Sequence, residues 1–297
     1  MVRADPRSFC AVIHDYLASE KFKRLSPGTQ VGYRIYLRLA ERPNSLGGIP
    51  VGALNTPLVQ VFLDNLADRP GAQAIAYCAI KAVEKWALPR GRLPYPITIG
   101  VELVGSDGGH QPWTDAQIAI AETYAAPHIA RIITLGANTG QRGSDLHRMC
   151  WTDIEVIEGR PGIHVTQRKT GLEIWIPMTQ QLQAAVETWQ KQPGPFLRKP
   201  DNTAWENRNQ MASAWVRERD RNPQLAACAG LVLHGLRASA AIRLRRGGVP
   251  PLLLGDMIGM SRQTIERYCR FADQRVNALA AVHYLDKPET KRGTGNA

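Results

Sequence analysis

Five polar residues stand out by type and order along the chain: Arg142 in TGQRGSDL, Lys169 in QRKTG, His234 and Arg237 in HGLRAS, and Tyr268 in TIERYCRF. Two arginines can grip the non-bridging oxygens of a phosphate bidentately, and a guanidinium keeps its charge at any working pH. Donors held in place before reaction stabilise the negative charge that builds on a five-coordinate phosphate, as a metal ion does elsewhere. His234 and Arg237 stand at i and i+3, so both leave one face of a helix that starts there. The first N–H groups of that helix also favour an anion. Lys169 lies on a tight turn, from which an ammonium reaches a leaving oxygen and donates its proton. Tyr268 is the member of the set suited to be a nucleophile. Competing chemistries lack their signals, since the chain has no Walker A motif, no GxGxxG, no HExxH and no GxSxG.

Taken singly, each residue has a plainer role. Arg142 pairs with Asp145 one turn on, Lys169 is a solvated turn lysine, His234 caps a helix and Tyr268 fills a core beside Ile265 and Phe271. The ordered set carries the chemistry, and within it Asp145 reads as a group that orients Arg142 or a neighbour. His110, His128, His147, His164 and His283 have no metal-ligand spacing and read as structural or surface residues. No metal ligand and no cofactor site is read from the sequence.

These residues need a scaffold, and the pattern predicts one in two parts. The first hundred residues read as helices: an opening helix near 8–20, one from the Ser26-Pro27 start signal through 41, one from Thr56-Pro57 that Pro70-Gly71 ends, and one over 72–87. On the second of these, Val31, Ile35, Leu37 and Leu39 mark the apolar face, and Arg34, Arg38 and Arg42 recur every four residues. Those arginines are either a solvated face or a stripe that tracks a phosphate backbone. Between 89 and 110, eight prolines and glycines from Pro89 to Gly109 read as a linker. Thr114 then caps a new helix. Three β-rich runs, Ile154–Ile157, Ile163–Gln167 and Glu173–Pro177, lie between turn signals and predict an antiparallel meander. Helices return at about 179–191, 205–220, 235–246, 250–258 and 261–273, and 287–297 reads as a disordered polar tail. The domains expected are therefore 1–88 and 111–286 around the 89–110 linker.

Composition bounds the partners. With 44% hydrophobic and 21% charged residues in 297, the chain can bury a core, which excludes wholesale disorder. No apolar run is long enough for a membrane helix, and Met1–Arg7 shows no secretory signal. Five widely spaced cysteines with no CxxC pair fit a reducing cytoplasm. The net charge is +11, unevenly placed: 13 basic and eight acidic groups in 1–105, 13 of each in 106–230, 11 and five in 231–297. Two basic ends around a neutral middle suggest a polyanion held by both parts of the chain.

The ordered set, with the lysine in a β-turn and the tyrosine 31 residues after Arg237, resembles the tyrosine recombinase (phage integrase) family of site-specific DNA recombinases over nearly the whole chain. The resemblance implies a mainly α fold with a small antiparallel β-sheet: a helical, SAM-like core-binding domain followed by a mixed α/β catalytic domain. It implies that Tyr268 attacks the scissile phosphate, forms a 3′-phosphotyrosyl bond and releases a 5′-hydroxyl, with Arg142, Lys169, His234 and Arg237 as its partners and neither metal nor ATP. It implies double-stranded DNA as partner, a homotetramer in the synaptic complex, and a monomer or weak dimer when free. The stretch 276–284 is expected to dock on a neighbouring protomer. One position departs from the family pattern. Met260 stands eight residues before Tyr268, where the family usually has histidine or tryptophan, and methionine donates no hydrogen bond to phosphate. Tolerance, compensation by Ser261 or Arg262, and a weakened enzyme each account for it. The competing functions are a DNA-binding accessory protein, a type IB topoisomerase-like relaxing enzyme, and an RNA-binding or unrelated basic protein.

Overall fold

A computed structural model describes residues 5–105 and 109–285. The chain forms two compact units, Met1–Gly109 and His110–Ala297. The expected tail at 287–297 lies outside the described residues. Among those described, no helix is long and apolar enough to cross a membrane.

The first unit is all helical: α1 (Phe9–Ala18), α2 (Glu20–Lys23), α3 (Pro27–Ala40), α4 (Thr56–Asp64) and α5 (Pro70–Ala87). Serines start the first three, Ser8, Ser19 and Ser26 each accepting from a backbone N–H of the opening turn. α4 begins one residue earlier than its Thr-Pro signal suggests, because Asn55 is the cap that accepts from the Leu58 N–H. Pro70 opens α5 and does not end α4, since its missing N–H costs nothing in a first turn. Phe9, Ile13, Tyr16, Phe22, Leu37, Leu63 and Ile80 fill the core. Val31 and Ile35, expected on the buried face of α3, are exposed, whereas Leu37, expected there too, is buried along with Ala40. Arg42 falls beyond the end of α3, so the arginine stripe there is limited to the exposed Arg34 and Arg38.

Most of the stretch expected as a linker is bound to this unit. The buried Glu84 carboxylate accepts from the Ile97 N–H (2.5 Å), the Thr98 N–H (2.7 Å) and the Thr98 hydroxyl (2.9 Å). Leu93 and Ile97 enter the core, Tyr95 donates to the Gly52 carbonyl, and the amide side chains of Gln60 and Gln73 accept from Glu102 and Val104 N–H groups. Side chains thus satisfy the backbone that proline and glycine keep out of helices.

The second unit opens with α6 (Asp115–Tyr124), where Thr114 and Gln117 form a capping box, then α7 (Pro127–Thr139) and the single turn α8 (Gly143–Leu146). The meander follows as β1 (Ile154–Ile157), β2 (Arg160–Thr166) and β3 (Glu173–Pro177), antiparallel in that order. The expected Gly159–Gly162 turn is tighter than the composition implies. Ile157 pairs with Arg160, leaving Glu158 (φ 50°) and Gly159 (φ 75°) as a two-residue hairpin. Ile163, Val165, Ile174 and Ile176 make the buried face. Five helices complete the unit: α9 (Gln180–Glu187), α10 (Arg208–Arg221), α11 (Gly235–Arg246), α12 (Pro251–Ile258) and α13 (Arg262–Leu285). α11 is buried from Gly235 to Ala241, and its small residues let it pack closely on α7 and α13. A Cβ on Gly235 would fall 2.2 Å from the Gln111 carbonyl, so no other residue fits after His234.

Candidate active site

Arg142 sits at the N-cap position of α8, two residues after Gly140, the C-cap of α7. Gly140 is left-handed (φ 62°), and even glycine leaves little room, for a Cβ would lie 3.0 Å from Ile258 and 3.1 Å from Ala240. This packing brings the start of α8 beside the end of α12. The Arg142 guanidinium donates to Gln167 Oε1 (3.0 Å). Gln167 is fully buried, and its amide nitrogen donates to Gln141 Oε1 (2.7 Å) and to the Ile258 carbonyl (2.8 Å). Its backbone closes the β2–β3 turn, accepting from Gly171 N–H (2.8 Å) and donating to the Leu172 carbonyl (2.8 Å). One amide therefore ties Arg142, the Lys169 turn and the end of α12 together.

Arg237, on the first turn of α11, is 3% exposed. Its Nη1 donates to the Gly140 carbonyl (2.5 Å) and its Nη2 to the Gly259 carbonyl (3.0 Å). Burial, followed by the neighbouring Arg142 charge, lowers its pKa to about 10, while Tyr268 and Asp145 act in the opposite sense. Arg237 therefore stays charged at neutral pH. Both guanidiniums are held by neutral amide oxygens, and among the described residues neither is within ion-pair distance of a carboxylate. Their positive charge is left for an external anion.

His234 precedes α11, with the His110 ring edge-on at 4.9 Å. Burial first, then His110, Arg237, Arg142 and Arg208, push its pKa down to about 4. It is a neutral imidazole at pH 7 and can donate a single N–H. In the unfolded chain its pKa returns to about 6.5. Between those values the unfolded state binds more protons, so acidification from pH 6.5 towards 4 should destabilise the protein and level off below. Burial lowers His128 too, so the check is a comparison: the melting temperature of His234→Gln should fall less than wild type over that range, and equal falls would contradict it.

Asp145 does not pair with Arg142. Its Oδ1 accepts from the Arg168 N–H (2.9 Å), which fixes the turn that carries Lys169, and its buried Oδ2 has no partner among the described residues. Lys169 itself is exposed on that turn. Tyr268 is partly buried on α13, packed against the small cluster of Ala240, Ala241, Leu254, Ile258, Ile265 and Cys269. Met260 is 7% exposed and belongs to the same apolar cluster. Arg262 is exposed and pairs with Glu266 at 2.8 Å. Arg142 and Arg237 thus lie within electrostatic reach of His234, and Tyr268 within reach of Arg237, while the Lys169 ammonium is positioned only through its turn.

Sequence reading passed over three residues here, Gln141, Gln167 and Arg208, and set a fourth, His110, aside as structural or surface. Gln141 and Gln167 carry no charge to mark them, and His110 and Arg208 join the site only through folding. Arg208, first in α10, packs its Cβ against Gly143 beside Arg142.

Residues 116–275 match the phage integrase family. Solved structures resemble the fold. A lambda integrase dimer bound to a COC′ core site is 16% identical with a TM-score of 0.72, over 88% of this chain and 77% of that one. The XerH site-specific recombinase bound to a palindromic difH substrate is 13% identical with a TM-score of 0.66, over 96% and 98%. A Tn1549 transposon integrase in complex with circular intermediate DNA is 14% identical with a TM-score of 0.65, over 88% and 94%. No curated protein sequence matches. The family match spans more than half of the chain, from α6 into α13, and encloses every residue of the site from Arg142 to Tyr268: this chain belongs to the phage integrase family.

Proposed function

We propose that this protein is a site-specific tyrosine recombinase that cleaves and rejoins duplex DNA through a 3′-phosphotyrosyl intermediate. The observation that carries this reading is the pair of arginines held by neutral amide oxygens beside Tyr268 and His234. The guanidiniums grip the non-bridging oxygens of one phosphate, and His234 adds a neutral N–H donor. The Tyr268 oxygen attacks phosphorus, its phenolic proton passes to solvent, and the bond from phosphorus to O5′ breaks. Lys169, carried in on its turn, supplies the proton to the leaving 5′-oxygen. The tyrosyl bond keeps the phosphodiester energy, so a 5′-hydroxyl from a partner strand reverses the step without ATP. Duplex DNA is the partner, held through its phosphates by the basic surfaces of the chain, so affinity falls steeply with salt. The working assembly is a homotetramer on two sites.

The test is incubation with a nicked suicide substrate, whose cleaved strand diffuses away and traps the covalent protein–DNA adduct for a denaturing gel. Failure to form an adduct while DNA is bound would assign the chain to the accessory class, with Met260 as the missing donor. Relaxation of supercoiled DNA that lacks any cognate site would assign it to topoisomerase-like chemistry.

The Gln167 amide gives a further expected result. Gly259 is left-handed (φ 66°), and a Cβ there would lie 2.4 Å from Gln167 Nε2. Gly259→Ala should displace that amide and release Arg142. A misplacement of about 1 Å at a reacting centre costs up to ~10²-fold in rate. Single-turnover cleavage should therefore drop well beyond any loss of DNA affinity, and unchanged cleavage would show that the amide does not position the arginine.

A further inference from the structure

The first unit brings together three side chains that the recombinase chemistry does not use. Cys10 and His14 stand one turn apart on α1, and Glu41 caps the end of α3. Cys10 Sγ is 3.7 Å from His14 Nε2, which is 3.2 Å from Glu41 Oε2, and the three donor atoms lie within 4.8 Å of one another. Donors bound tetrahedrally to zinc at about 2.0–2.3 Å stand about 3.3–3.8 Å apart. Two of the three edges already match that spacing, and a shift of about 1 Å in the carboxylate arm closes the third. The backbone beneath is fixed, because the loop after α3 folds so closely that a Cβ on Gly47 would fall 2.0 Å from the Glu41 carbonyl. An imidazole–carboxylate ion pair explains one of these contacts. It does not explain a thiol turned to the same nitrogen, which gains nothing from a neighbouring carboxylate. Burial, followed by the Glu41 charge, raises the Cys10 pKa, and a cation would reverse the second effect.

We propose that Cys10, His14 and Glu41 form a binding site for a zinc-class divalent ion, with water in the fourth position. Thiolate and imidazole exclude hard cations such as magnesium and calcium, and three protein ligands with one open position suit zinc. Binding releases the thiol proton to solvent and ties α1 to the end of α3, so the ion stabilises the helical unit.

Cobalt(II) is the probe. The full chain, reduced and stripped with chelator, should bind one cobalt per molecule. The spectrum should show a thiolate-to-cobalt charge-transfer band in the near ultraviolet and the visible d–d bands of a four-coordinate site. Added zinc should erase both. Cys10→Ser should abolish the charge-transfer band, and His14→Ala should weaken binding by more than the roughly 10–100-fold typical of losing an outer-shell partner. Glu41→Gln, which keeps the shape of the side chain, should weaken it by about tenfold or more. Cys78→Ser, at an exposed cysteine outside the cluster, should change nothing. A wild-type protein without the charge-transfer band, or a band that survives Cys10→Ser or disappears in Cys78→Ser, overturns the site. These readouts require no recombinase activity.

Discussion

Tyr268→Phe should bind DNA as wild type does and form no covalent adduct on a nicked suicide substrate. The substitution removes one oxygen from a side chain whose ring packs against Ile265, Met260 and their neighbours, so the ring contacts survive. Stability should stay within about 0.5 kcal/mol, the range of changes that leave packing intact. Chemistry is different, because no other nucleophile replaces a phenolic oxygen in a covalent mechanism, and the loss should reach the limit of detection. Gel shift, thermal melt and denaturing gel on one preparation separate these effects. An adduct that persists in Tyr268→Phe would remove the nucleophile from the proposed mechanism and place it elsewhere on the chain.

Arg237→Lys should be the other severe change. Charge is kept, yet the fork that reaches the Gly140 and Gly259 carbonyls together is lost, and a lysine ammonium is a compact point charge. Removing one preorganised donor to a developing anion costs ~10²–10³ in rate, and Arg237 supplies more than one N–H. Single-turnover cleavage should fall by at least that factor. Part of the effect appears in stability, since carbonyls left without donors in a buried site cost about 1–3 kcal/mol. Measuring the rate at a temperature well below the melting point of the variant keeps the two apart. Cleavage within tenfold of wild type would mean that Arg237 serves the fold alone.

The family was legible in the sequence because its polar residues stand in order: the guanidiniums, the HxxR helix start and the late tyrosine. The β-meander was legible from its turn glycines, and the mainly helical fold from serine and threonine caps that the structure uses as caps. What stayed hidden depended on neighbours. Gln167 reads as one more polar residue before a turn, and only the fold shows that its amide joins Arg142 to the end of α12. Asp145 suggested an arginine partner one turn away, but its Oδ1 accepts from the backbone N–H of Arg168. The proline–glycine stretch looked like a tether because a buried carboxylate at Glu84 cannot be inferred from spacing. Val31 and Ile35 fit a helical face and still point outward, since periodicity fixes a face without saying what covers it.

The neutral acceptors around Arg142 and Arg237 also bear on stability. Asp145 offsets only part of their charge, so Arg142 and Arg237 repel each other, and holding them close costs part of the folding free energy. An occupying phosphate relieves that repulsion only in the folded chain. Under the proposed function that anion is a DNA phosphate, so folding and DNA occupancy reinforce each other by linkage.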